Sequence, residues 1–180
     1  MKKATSTTKL TLAAMSAAIS TLLVYAASIL PTGRIGLMFA ASLAMWIPLN
    51  EKHSVGYAIL SYIVCGALSF VLSSNKIYSI LYIGFFGLYG FIKFGMDKLT
   101  RDKLTAFILK LITCNIIGIA GIIISFKAFD TDLFALIPEF PTWVIIIAIE
   151  LSFVVYEVVY SLCVNAFDKS LRSFLMQRNR

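Results

Sequence analysis

Residues 10–30 read LTLAAMSAAISTLLVYAASIL, a run of 21 positions without a charged side chain. At 1.5 Å per residue a helix of this length reaches about 31 Å, the thickness of a bilayer's hydrocarbon core. Lys2, Lys3 and Lys9 precede the run, and Ala26, Ala27 and Ser28 place small residues near its end. A cleaved secretory signal shares those features. The apolar stretch is longer than a signal core, however, and more such stretches follow, so it reads as the first spanning helix.

The same pattern recurs along the chain. A spanning segment must satisfy its own backbone hydrogen bonds, which makes each apolar run a helix. Helices are expected at 10–30, 35–49, 54–74, 77–95, 105–126 and 142–167. Pro31, Thr32 and Gly33 break the chain after the first. Further breaks fall at residues 50–53, at Ser73, Ser74, Asn75 and Lys76, and at 97–103. The last connection, 126–141, carries Asp130, Asp132 and Glu139. The second helix is short, about 22 Å for its 15 residues. The expected fold is all-α, one transmembrane domain of six helices over residues 1–180.

Composition agrees. Of 180 residues 59% are hydrophobic and only 14% charged, with a mean hydropathy of +0.88. Soluble domains carry about a quarter charged residues, and one core of this size could not hide so much apolar surface. The net charge of +7 sits in short loops rather than in a basic domain, which argues against nucleic acid and for topological charge. Thirteen of the 16 Lys and Arg residues fall on one side of the expected bundle, and only Arg34, Lys76 and Lys127 on the other. By the positive-inside rule both termini are then cytoplasmic, in a multi-pass protein of a prokaryotic cell membrane.

Catalytic and cofactor motifs are missing from the sequence. Cys65, Cys114 and Cys163 lie inside apolar runs without metal-ligand spacing and read as small buried hydrophobes. His53 has no ligating neighbours at suitable spacing. There is no HExxH, no Ser/His/Asp grouping and no GxxxxGK[ST] phosphate loop, so the chain is not expected to be an enzyme, to hold a metal or cofactor, or to hydrolyse ATP by that loop.

Several polar residues stand out against this background. Glu150 and Glu157 lie inside the sixth helix seven residues apart, on one face and about 10.5 Å apart along the axis. Carboxylates in hydrocarbon cost several kcal/mol, so the pair should face the bundle interior or a wet cavity. Binding of a polar group, a proton relay and interhelical bonding all remain open readings. Asn115, at a depth similar to Glu157, could contact a substrate or another helix. Arg34, alone on the outer side, suits either an anion, gripped by its forked guanidinium, or lipid headgroups. Tyr78, Tyr82 and Tyr89 could line an aromatic pocket or form the interfacial belt, and Trp143 is similarly placed. Trp46 is expected in the belt. Ala13 with Ala17, and Ala14 with Ala18, form small-xxx-small pairs that allow close helix approach.

Six helices, this size, a basic cytoplasmic tail and the alanine pairs together resemble the substrate-binding S components of energy-coupling factor transporters, which take up vitamins in prokaryotes. The stretch of residues 30–36, LPTGRIG, is similar to small firmicute membrane proteins related to them. The resemblance implies that Ala13, Ala14, Ala17 and Ala18 dock onto a transmembrane coupling subunit that links to two ATPase subunits. It also implies a small nutrient bound near the outer face by Arg34, Tyr82, Asn115, Trp143 and Glu150, with Glu157 deeper. A different class, a non-transporting multi-span scaffold of the cell envelope, shares the short helices and basic inner loops but needs no wet cavity at the glutamates.

Overall fold

A computed structural model of the chain describes residues 6–50, 54–100, 102–129 and 142–178. Among these residues there is no strand. The elements are α1 (Ser6–Ile29), α2 (Arg34–Ala44), α3 (Trp46–Asn50), α4 (Val55–Leu72), α5 (Lys76–Leu81), a π-helical turn (Tyr82–Phe86), α6 (Gly87–Leu99), α7 (Lys103–Phe129) and α8 (Thr142–Arg178). His53 and the acidic residues Asp130, Asp132 and Glu139 lie outside the described residues. Among the described residues, four helices are long and apolar enough to cross a membrane: Ser6–Ile29, Val55–Leu72, Lys76–Leu99 and Ile147–Phe167. Arg34–Leu49 and Leu104–Ile119 are apolar but shorter. The exposed positions include Leu22, Ile63, Val71, Ile116 and Leu151, a surface matched to lipid and costly in water.

The chain divides into two compact units, Met1–Gly121 and Ile122–Arg180. In the first, α1 is the central helix and packs most extensively against α2 and α4. Its buried stripe is Ala13, Ser16, Ala17, Ser20, Val24 and Ala27, and such small side chains let neighbouring backbones approach closely. The second unit contains α8, one unbroken helix.

Local chemistry accounts for the breaks. Gly33 adopts φ 74°, a left-handed conformation that a side chain would strain, and its carbonyl accepts the Leu37 amide at 3.0 Å. Asn75 caps α5, its Oδ1 accepting from the Ile77 amide at 3.1 Å. The Lys76 ammonium donates to the carbonyls of Phe70 at 2.5 Å, Val71 at 3.3 Å and Ser73 at 3.0 Å, closing the C-terminus of α4.

The short helix expected over 35–49 is divided at Met45 into α2 and α3. Pro48 is the physical reason: it has no amide proton for the carbonyl four residues back, and its ring crowds that carbonyl. The carbonyl belongs to Ala44, and it accepts the Ser16 hydroxyl of α1 at 2.6 Å instead. The Met45 amide turns back to Ser42 at 3.2 Å, and the Ala41 carbonyl is met by the Ser20 hydroxyl at 3.0 Å. Two serines one turn apart thus supply the donors that the kink removes.

The π-turn follows the same logic. The Gly87 amide bonds to the Tyr82 carbonyl rather than to that of Ile83. Ile83 O accepts the Tyr62 hydroxyl of α4 at 2.6 Å. A Cβ at Gly87 would lie 2.9 Å from Tyr62 Cε2 and 3.0 Å from Tyr82 Cε1, so the ring passes only because residue 87 is glycine.

Candidate functional site

At the end of the first unit where α1 stops and α2 begins, Arg34 is the first residue of α2. Its Nε donates to the Leu30 carbonyl at 2.5 Å, and its Nη1 donates to the Tyr78 hydroxyl. The guanidinium carbon lies 5.1 Å from the centroid of the Tyr78 ring, within cation–π range. Arg34 is therefore held by the residue that follows α1 on one side and by α5 on the other. The planar fork is pre-oriented and half-buried, a setting in which guanidinium binds a carboxylate or phosphate. Lys76, its companion in the charge count, is committed to capping α4.

Tyr82 lies one turn below Tyr78 and opens the π-turn. It is fully buried, and its hydroxyl makes no well-formed hydrogen bond among the described residues, with Ser20 and Cys65 as its polar neighbours. Tyr89 is also fully buried. Ser79, Tyr82, Phe86, Tyr89 and Lys93 form one interior stripe along Lys76–Leu99, so Tyr82 and Tyr89 belong to the core and not to an interfacial belt. Trp46, expected in the belt, is buried too; its ring meets Phe94 edge-on at 6.1 Å between centroids. The placement of Trp46 differs from the expectation because an aromatic residue near a helix end suits a belt and a core equally well.

Of the remaining sequence-predicted site residues, Asn115 is in the first unit, where its Nδ2 donates to the Leu111 carbonyl of its own helix at 3.2 Å. Trp143, Glu150 and Glu157 belong to the second unit, on α8. Trp143 is 65% exposed. Glu150 is half-buried, whereas Glu157 is buried and its Oε1 accepts from the Ser161 hydroxyl at 3.2 Å. The continuity of α8 places the two carboxyls on one helix face. Within the first unit the structure brings Arg34 and Tyr82 onto neighbouring elements.

The four alanines of α1 separate into two faces. Ala13 and Ala17 are buried, and the Ala13 carbonyl accepts the Ser61 hydroxyl of α4 at 2.9 Å. Ala14 and Ala18 are exposed, beside exposed Met15 and Ile19. The first pair packs within the chain and the second is presented outward.

Two features are not evident from the sequence alone. One is the set of buried hydroxyls Ser16 and Ser20, four residues apart on α1, and Ser61 and Ser69, eight apart on α4, spacings that keep each pair on one helix face. The other is a pair of buried lysines, Lys93 and Lys110, joined through Asp97 at 3.5 Å and 2.8 Å. Their signal was spacing: Lys93 and Asp97 are i, i+4 neighbours inside a helical run.

The chain matches no protein family, no curated protein and no solved structure.

Proposed function

We propose that this chain is the membrane-embedded ligand-binding subunit of an ATP-driven importer of the energy-coupling factor type, an S component for a vitamin or similar small nutrient. On this reading it spans a prokaryotic cell membrane six times with both termini in the cytoplasm. A transmembrane coupling subunit and two ATPase subunits supply the energy, since this sequence carries no phosphate loop.

The observation that carries the reading is the two-faced α1. Ala13 and Ala17 pack internally while Ala14 and Ala18 remain outward on the same helix, which leaves a small-residue strip where a second subunit's helix can approach. Arg34, clasped by Tyr78 at the opposite end of α1 from its start, is the anchor for an acidic group of the nutrient. Tyr82 and Asn115, in the same unit, are the further candidates for its polar and aromatic groups.

The decisive experiment is copurification with coupling and ATPase subunits from the native host, with bound small molecules identified by mass spectrometry. The wild-type chain should bring down all three partner subunits and one nutrient. Replacing Ala14→Leu and Ala18→Leu should abolish subunit capture while nutrient binding persists. Normal capture by that double variant sinks the docking argument.

A further inference from the structure

The guanidinium of Arg34 is only partly used by the protein. Its Nε–H is committed to the Leu30 carbonyl and one Nη1 proton to the Tyr78 hydroxyl. One Nη1 proton and both Nη2 protons remain, and among the described residues no carboxylate pairs with them. The Tyr78 hydroxyl is half-used in the same way: it accepts from Arg34, and its own proton has no acceptor among the described residues. Neither α2 nor α5 has an acidic residue in its first turn. Both side chains are half-buried, and their chain neighbours Ile35 and Ile77 are 73% and 60% exposed. A fixed set of donors with one positive charge therefore opens beside an apolar rim.

We infer that Arg34 and Tyr78 together bind a carboxylate, with the guanidinium as its counter-ion and the Tyr78 hydroxyl as the second donor that selects it. On the importer reading, on which this assignment of the ligand rests, the nutrient is an amphipathic monocarboxylic acid. Charge decides the class. Lys76 donates to the carbonyls of Phe70, Val71 and Ser73, so among the described residues Arg34 supplies the positive charge of the clasp. A carboxylate brings one negative charge, whereas a phosphate monoester brings about 1.5–2, and excess charge beside an apolar rim is costly. Shape disfavours the phosphodiester of a lipid. The Nε edge is closed by Leu30, so an anion meets the Nη end, and the Tyr78 ring already flanks the guanidinium at 5.1 Å from its centroid. A carboxylate presents both acceptors on one planar end with a single substituent behind them, while a diester must fit two ester arms there. Because Leu30 and Tyr78 hold the fork in place beforehand, little side-chain entropy is lost on binding.

The test uses the full chain in phosphatidylcholine nanodiscs, titrated with acetate, benzoate and octanoate against benzamide and phenyl phosphate. The readout is the thermal unfolding midpoint. At least one monocarboxylate should stabilise the wild type, while the amide has no effect and the phosphate binds more weakly. Arg34→Gln should lose the response. Tyr78→Phe, which keeps the ring, should weaken carboxylate binding at least about tenfold, the lower limit for a hydrogen bond to a charged group. A purely structural hydroxyl would instead lower the midpoint of the unliganded protein and leave that affinity unchanged. Should Tyr78→Phe not fold, Arg34→Lys decides: it keeps the charge but loses the fork, and it should bind the acid more weakly than the wild type. A wild type that responds to none of the carboxylates, or prefers phenyl phosphate, overturns the site. So does an undiminished response in Arg34→Gln or Arg34→Lys, or an unchanged affinity in Tyr78→Phe. Capture of coupling and ATPase subunits by a chain that binds no carboxylate overturns the site and leaves the importer reading standing. Carboxylate binding by a chain that captures no subunit supports the site and removes that reading.

Discussion

The Ser16 hydroxyl donates to the Ala44 carbonyl at 2.6 Å, and it does so because Pro48 cannot. The proline removes the amide that would complete α2, and a serine on the neighbouring helix meets the exposed acceptor. In apolar surroundings such a carbonyl would otherwise carry its full desolvation penalty. The kink and the serine are consequently one device.

This coupling predicts a non-additive pair. Ser16→Ala alone should destabilise the protein by about 1 kcal/mol, within the range of hydrogen bonds between membrane helices. In a Pro48→Ala background residue 48 regains an amide for Ala44, so the same serine change should cost clearly less. Unfolding in detergent, read as a double-mutant cycle, measures the difference; equal costs in both backgrounds would show that the two residues act independently.

The π-turn makes a steric prediction. Gly87→Ala places a methyl 2.9 Å from Tyr62 Cε2, and overpacking of this kind costs about 1–3 kcal/mol. Gly36→Ala, where an added Cβ would meet nothing within 4 Å, should be neutral or stabilising, since alanine is the better helix former by about 1 kcal/mol. Thermal unfolding of the two variants side by side tests the contrast.

How far the fold could be read from residues alone depends on which property was in question. Apolar runs predicted an all-helical chain, and among the described residues four helices are long and apolar enough to cross a membrane, since backbone satisfaction in hydrocarbon leaves little choice. Their ends were less legible. The segment expected to stop at 95 continues to Leu99, and the one expected to stop at 167 continues to Arg178, because charge ends hydropathy without ending a helix. Pro48 was visible but its consequence required a partner, Ser16, 32 positions away in the chain. In the candidate site, the clasp of Arg34 by Tyr78 depends on helix pairing that spacing cannot specify. The division of the alanines into inward and outward pairs likewise depends on which face of α1 meets α2 and α4.

That division yields a prediction about stability separate from assembly. Ala13→Leu inserts a larger side chain into a buried contact and should destabilise the isolated chain by about 1–3 kcal/mol. Ala14→Leu, on the exposed face, should change stability by no more than about 0.5 kcal/mol. Circular dichroism melts of the purified variants separate the two, and a strong loss for Ala14→Leu would place that residue in an internal contact.

Tyr62 and Tyr82 form the sharpest pair of controls, because two tyrosine hydroxyls in one unit have opposite circumstances. Tyr62 Oη donates to Ile83 O, the carbonyl that the π-turn frees, so Tyr62→Phe should cost about 1 kcal/mol or slightly more. Tyr82 Oη is buried without a well-formed hydrogen bond, its polar neighbours being the Ser20 hydroxyl and the Cys65 thiol, so Tyr82→Phe deletes a poorly satisfied group and should leave stability within about 1 kcal/mol of the wild type. If Tyr82 meets the nutrient, the same change should weaken nutrient binding by about fivefold, the worth of a hydrogen bond of about 1 kcal/mol. Stability and ligand titration on one preparation give both readings. A Tyr82→Phe protein that loses more stability than Tyr62→Phe would show that the hydroxyl has a structural partner, and one that keeps full nutrient affinity would remove Tyr82 from the binding site.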